Sequence, residues 1–498
     1  MDKRRGLLNV WVSVVFKLII VALSVLVRRV LIQSCGNEIN GLNALFLGIV
    51  GFLAVAELGV GSAITYCMYK PIVEGDSETV SALYHLFRKL YVIVGAVILL
   101  LGLVITPFIH HFAKDYTQLD VDLYGTFLLM LASVVLTYGF SAKTSLMNAY
   151  KCNYITTTIT SGGMVLQLVF QIVTLLITHS FVWYLVCRIV AVLLQWIATE
   201  IITLKKYAPV MKRRAELSAE TIATVKKNTG AMFMHKIGNL LVNTVDSITI
   251  STFIGVVALG YYSNYITILN AVSGILVLVF SSLTSVVGHL YVKESASATQ
   301  AHYEHMHKLN FIIGVVFFLG YYAIVDDLVA ILFGADLLID GSITFAIALN
   351  GFIQFMRQST LLFRDATGTF YYDRWKPAVE GVLNLSMSLL LVQWIGVAGV
   401  VVATIITNLT ICHIVEPYVL YKNAFHASVK KLFARNYTMI TVFAVALVCM
   451  HSLSVNNKNT WIDLFLNGMI SVGISCCICG ITIIKDKAFK GFIKDLVK

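Results

Sequence analysis

Apolar runs long enough to cross a bilayer constrain this chain more than any other feature. Spanning about 30 Å of hydrocarbon takes about 20 helical residues. Fourteen segments meet that requirement: 7–32, 40–68, 90–109, 123–142, 155–178, 181–203, 230–254, 257–291, 309–333, 341–363, 377–395, 397–421, 436–453 and 461–484. Backbone in lipid must satisfy its own hydrogen bonds, so such runs must be helices. The ten-residue alternation of a transmembrane barrel does not occur. Composition points the same way, with 58% hydrophobic and only 13% charged residues. A soluble domain carries about 25% charged residues. That shortage excludes a soluble enzyme, a disordered chain and a nucleic-acid-binding domain, despite a formal net charge of +11. The expected fold class is an all-α integral membrane protein with about fourteen transmembrane helices.

Charge placement orients the spans. With the N-terminus in the cytosol, 29 of the 37 Lys and Arg fall in cytosolic segments and 6 within spans, leaving only Lys114 and Lys458 outside. The outer loops instead carry Glu38, Asp115, Asp120, Asp122, Asp336 and Asp340. The positive-inside rule therefore predicts that both termini are cytoplasmic. Residues 7–32 read as a span and not a cleaved leader, because Lys17 interrupts the apolar stretch and no A-x-A-like site follows. The basic connection from Lys205 to Gly230 divides the rest into an N-lobe (1–203), a linker (204–229), a C-lobe (230–432) and a final helix pair with a basic tail (433–498). A shift of 219 positions brings Gly36 onto Gly255, Gly41 onto Gly260 and Lys17 onto Lys236, as a duplicated lobe would.

Charges within spans mark the chemistry. A Lys, Arg or Asp at a helix centre costs roughly 2.5–3.5 kcal/mol, so Lys17, Arg28, Arg29, Arg188, Lys236 and Arg357 are not expected to face lipid. At 100° per residue, Lys17 and Arg28 lie about 20° apart around one helix, on a stripe with Ser13 and Ser24. The seventh span repeats the device with Lys236, Asn239, Asn243, Asp246 and Ser247. The sixth offers Tyr184, Arg188, Gln195 and Thr199, the tenth Asn350, Gln354 and Arg357, and the fifth Gln167, Gln171 and Thr174. Such stripes describe a hydrated lumen lined with positive charge. It suits a polyhydroxylated anion: Arg and Lys answer a phosphate, and Asn and Gln exchange hydrogen bonds with sugars. The expected substrate ligands are Lys17, Arg28, Arg188, Lys236, Arg357, Asn239, Asn243, Gln167 and Gln171. Glu57 and Asp246 are the acids expected to pair with these cations or to bind a coupling ion. Glu200, Asp326, Asp327, Glu380, Glu416 and Asp463 lie nearer span ends, where water is expected to reach them.

Other motifs carry less. His289, His302, His305 and His307 read as loop histidines more readily than as a metal site. The nine cysteines, mostly in apolar runs, do not suggest a disulfide framework. There is no G-x-x-x-x-G-K-[ST] phosphate loop, and no connection exceeds about 26 residues, too short for a folded catalytic domain. No cofactor, metal or enzymatic activity is expected. An anion leaving a negative interior moves with the field, at about 2.3 kcal/mol per charge per 100 mV.

From Arg28 to Phe112 the chain reads RRVLIQSCGNEINGLNALF, then AELGVGSAITYCMYKPIVEGDSETVSALYHLFRKLY, then PFIHHF. From Phe363 to Asn408 it reads FRDATGTFYYDRWKPAVEGVLNLSMSLLLVQWIGVAGVVVATIITN. These stretches resemble the two halves of bacterial Wzx-type polysaccharide-unit flippases. The resemblance implies membership of the superfamily that includes multidrug and toxin extruders and the peptidoglycan-precursor flippase. It implies two six-helix lobes around a central cavity that opens to either side in turn. The implied activity is flipping of undecaprenyl-diphosphate-linked oligosaccharides across the bacterial inner membrane for capsule, O-antigen or exopolysaccharide assembly. The implied partners are that lipid-linked glycan, membrane lipids, the polysaccharide polymerase and chain-length proteins. Two alternatives stand: a cation-coupled multidrug extruder of the same fold, which would want acidic and aromatic walls, and a membrane glycosyltransferase or polymerase, which would want larger outer loops.

Overall fold

The computed structural model describes residues 3–57, 60–116, 121–150, 152–212, 217, 244–455, 460–484, 486 and 488–491. Among these residues there are helices and no strands. Among the described residues, eight helical stretches are long and apolar enough to cross a membrane, and the shorter apolar helix Asn37–Leu53 joins them. The protein is an all-α, multi-pass membrane protein. The expected span 40–68 is not one helix but two, Asn37–Leu53 and Val60–Glu74, separated by a 3-10 turn at Ala54–Glu57. Likewise 257–291 breaks at Leu283 and 341–363 breaks at Arg357.

The expected spans 377–395 and 397–421 lie in one 50-residue stretch, Lys376–Phe425. The chain reverses at Ile395–Gly396, where Gly396 takes φ 61° and ψ −138°, a conformation that favours glycine. Contacts then pair symmetrically about that turn. A Cβ on Gly399 would lie 2.3 Å from the Leu391 carbonyl, and Asn384 Nδ2 donates to Thr404 Oγ1 at 2.9 Å. Polarity along this hairpin is inverted relative to a soluble protein. Lys376, Glu380, Asn384 and Ser388 recur every fourth residue on the buried face, while Val379, Val382 and Leu390 are exposed. Apolar side chains gain nothing by leaving lipid, whereas polar ones do.

The chain divides into two compact units, Met1–Gly260 and Tyr261–Lys498. In the first, helix Lys3–Cys35 packs along Asn153–Thr178, which packs on Phe181–Lys212; Ser77–Ile105 and Phe181–Lys212 both pack on Leu123–Ala149. The helical segment at 244–253 lies on Asn37–Leu53, close enough that a Cβ on Gly48 would touch Ser247 at 3.1 Å. Of the glycines matched by the 219-residue shift, Gly36 and Gly255 directly precede helices Asn37–Leu53 and Val256–Ser282, and Gly41 and Gly260 lie in the first turns of those helices. Gly36 and Gly255 both take positive φ, 89° and 139°. Asn40 Nδ2 donates to the Gly260 carbonyl at 3.3 Å. A Cβ on Gly41 would fall 1.9 Å from the Val256 carbonyl, and one on Gly260 would fall 2.5 Å from the Asn37 carbonyl. Backbone cannot yield as a side chain can. Gly41→Ala is therefore expected to cost at least the 1–3 kcal/mol of an overpacked core. Gly162→Ala, with nothing within 4 Å, is expected to be neutral. Thermal unfolding of the two variants in detergent checks the difference.

In the second unit, helix Ala296–Leu332 is the hub, contacting Gly341–Met356, Lys430–Leu453 and Thr460–Ile484. His302, His305 and His307 lie on this helix and not in a loop, and His307 is fully buried. Its Nδ1 accepts from Ser359 Oγ and its Nε2 donates to Asn436 Oδ1, both at 2.7 Å. The aromatic partner is Tyr303, whose ring stacks on it. Lys308 pairs with Asp486 beyond the last helix. That lysine, with the Phe489 N–H, holds the Asp486 carboxyl below the usual range.

Candidate functional site

Within the first unit, three of the predicted polar stripes converge. Helices Asn153–Thr178 and Phe181–Lys212 form a hairpin because His179 adopts the left-handed conformation, φ 48° and ψ 33°. The turn brings Gln171 Nε2 to 3.1 Å from the Tyr184 carbonyl and Thr174 Oγ1 to 3.1 Å from Cys187 Sγ. Gln167 Nε2 donates to Gln171 Oε1 at 3.4 Å. The buried Tyr184 hydroxyl lies within electrostatic reach of both Arg28 and Arg188, with Asn43 and Gln171 beside it. Arg28 comes from helix Lys3–Cys35, Asn43 from Asn37–Leu53, and Arg188 from Phe181–Lys212. Arg28 and Arg188 are half-buried, and among the described residues no carboxylate pairs with Arg188. Two half-buried guanidinium forks beside buried amides and a buried phenol make a donor-rich cluster whose chemistry matches phosphate and hydroxyl oxygens. Lys17 is half-buried on the same helix as Arg28, eleven residues earlier.

The predicted acids are placed differently. Glu57 sits on the turn Ala54–Glu57 and accepts from the Tyr91 hydroxyl at 3.3 Å, with Tyr138 adjacent. Asp246 lies on 244–253, and its Oδ1 is buried without a hydrogen-bond partner among the described residues. Lys236, Asn239 and Asn243 lie outside the described residues.

Arg357 belongs to neither group. It ends helix Gly341–Met356 and forks onto Glu416, with Nε 3.1 Å from Oε2 and Nη2 2.6 Å from Oε1. Its Nη1 reaches Asn408 Oδ1 at 2.7 Å and Glu380 Oε1 at 3.4 Å. Lys376 Nζ closes the set, 2.5 Å from Glu416 and 2.8 Å from Glu380. Two cations and two anions thus neutralise one another. Glu380 and Glu416 are buried, contrary to the expectation that water reaches them near span ends, and Asp463 is buried as well. The Lys376–Asn384 hairpin side was legible as a polar residue every fourth position, a signal read only for other spans. Two π-helical segments, Asn408–Cys412 and Tyr421–Phe425, flank the Glu416 helix, and such bulges recur at functional sites.

No family model matches the sequence, and neither does any curated protein. Solved structures do match in fold. The lipid II flippase MurJ, in its inward closed conformation, aligns at TM-score 0.62 and 15% identity, covering 98% of this chain and 100% of its own. An inward-facing multidrug resistance MATE family transporter of the MOP superfamily aligns at TM-score 0.60 and 14% identity, covering 90% and 100%. The Vibrio cholerae MATE transporter VcmN aligns at TM-score 0.58 and 12% identity, covering 84% and 98%. The chain shares its fold with these transporters.

Proposed function

We propose that the protein flips undecaprenyl-diphosphate-linked oligosaccharide repeat units from the inner to the outer leaflet of a bacterial inner membrane by alternating access, for assembly of a surface polysaccharide. The observation that carries this reading is the convergence of Arg28, Arg188, Tyr184, Asn43, Gln167 and Gln171 from four helices of a membrane-embedded unit. A diphosphate cannot enter hydrocarbon bare, because the charge must keep hydrogen-bonding partners throughout. Arginines at that cluster, with Lys17 farther along the same helix, supply partners at successive depths. Lys236, Asn239 and Asn243 are proposed to serve the C-lobe in the same way, with Glu57 and Asp246 holding cations when no substrate is present. Arg357 leaves the list of proposed ligands, since its donors are committed to Glu416, Glu380 and Asn408. The N-lobe, basic linker, C-lobe and C-terminal pair, with both termini cytoplasmic, are part of the proposal.

The multidrug extruder is the second reading, favoured by the MATE structures of the same fold. A cationic drug would be repelled by Arg28 and Arg188. Gene deletion separates the two. A flippase should leave complete repeat units stranded on their carrier in the inner leaflet, measurable by mass spectrometry of extracted lipids. An unchanged lipid-linked pool with heightened drug sensitivity would favour the extruder.

A further inference from the structure

We infer that the loop 369–375 of the second unit is a membrane-interface anchor that binds the anionic phospholipid headgroup layer. Tyr371, Tyr372 and Trp375 are 57%, 61% and 63% exposed, three neighbouring aromatics turned outward together. Their loop is built, not slack. Arg364 forks between Asp365, at 2.9 Å, and the buried Asp373, at 2.8 Å. Gly368 turns the chain in the left-handed conformation, and Thr369 Oγ1 donates back to the Arg364 carbonyl at 3.3 Å. These ties pair both local carboxylates with Arg364, and among the described residues no carboxylate pairs with Arg374. Arg374 is pinned 4.5 Å over the Tyr371 ring, and its Nη1 donates to the Tyr371 carbonyl at 3.3 Å. A guanidinium held over a tyrosine ring beside two more aromatics is complementary to a phosphate at the depth where ring and water meet.

The identity of the occupant follows from the helix that the loop begins. Trp394, 82% exposed, stands at the other end of that helix, beside the Gly396 reversal. The nineteen helical steps from Trp375 to Trp394 rise about 28 Å, close to the roughly 30 Å of a hydrocarbon core. Between them, Val379, Val382 and Leu390 are exposed. A lipid-facing apolar stripe bracketed by two exposed tryptophans one bilayer apart places each tryptophan at an interface, where amphipathic rings are favoured. A soluble partner would explain the loop and not the spacing.

The test uses the full chain in proteoliposomes, with Trp375 retained and the other five tryptophans replaced by Phe. Lipids brominated near the glycerol end of the acyl chain should quench Trp375 at least twofold more than lipids brominated near its terminus. A Trp394-only variant should show the same shallow profile. Adding phosphatidylglycerol to phosphatidylcholine vesicles should raise the thermal midpoint of the wild type and not of Arg374→Ala. Ready quenching of Trp375 by aqueous iodide, with none by brominated lipid, would overturn the anchor and point to a soluble partner. Deep quenching would place the loop in hydrocarbon and overturn it equally, as would an Arg374→Ala response matching the wild type.

Discussion

Glu416→Ala is expected to deplete the folded protein from the membrane. The carboxylate takes three of the short contacts in the quartet, two from Arg357 and one from Lys376. Glu416, Glu380 and Lys376 are buried. Without Glu416, Glu380 alone faces two cations, the buried Lys376 and the largely buried Arg357. Breaking a buried ion pair from one side costs about 3–5 kcal/mol, against a total stability of about 5–15 kcal/mol. Immunoblots of membrane fractions and thermal unfolding in detergent measure the loss. Glu416→Gln keeps the shape and some hydrogen bonds, so it should fall between alanine and wild type. Adding Arg357→Met to Glu416→Gln removes the stranded cation and should recover part of the abundance. Wild-type abundance and melting for Glu416→Ala would show that the quartet holds nothing together.

Arg28→Ala and Arg188→Ala are expected to behave in the opposite way, sparing the protein and abolishing most export. A hydrogen bond to a charged group contributes about 1.5–3 kcal/mol, and each 1.4 kcal/mol is about tenfold. Each substitution should therefore lower the flipping rate roughly 10- to 100-fold, read as surface polysaccharide per unit of membrane protein. The double variant should lose less than the product of the two, because both residues act on one site around Tyr184. Lysine at either position keeps the charge and loses the fork, so partial activity is expected. Lys17→Ala should weaken export less, since Lys17 lies farther along the helix. Disappearance of the Arg28 and Arg188 variants from the membrane would assign both arginines to structure and remove the basis of the proposed site.

Helical class and membrane residence are local properties, written in the length of apolar runs and the scarcity of charge. The polar stripes are local too. Periodicity alone placed Gln167, Gln171, Tyr184 and Arg188 on their helix faces, and a single turn at His179–Ser180 was enough to bring them together. Breaks within spans were not legible, because lipid asks for apolar residues whether a helix is continuous or not. The 3-10 turn at Ala54–Glu57 and the bend at Arg357 interrupt runs whose hydropathy continues unbroken. Least legible was the fate of a charge. Arg188 and Arg357 look alike in sequence, each an arginine on a polar stripe. Depth counted from span ends put Glu380 and Glu416 within reach of water, yet the reversal at Gly396 lays residue 376 beside residue 416 and seals both acids against Arg357 and Lys376. A sequence determines which side chains a helix turns inward. Whether an inward cation meets an anion forty or sixty residues away depends on how the hairpins close, and only the tertiary structure decides that, because electrostatic pairing acts through space and not along the chain.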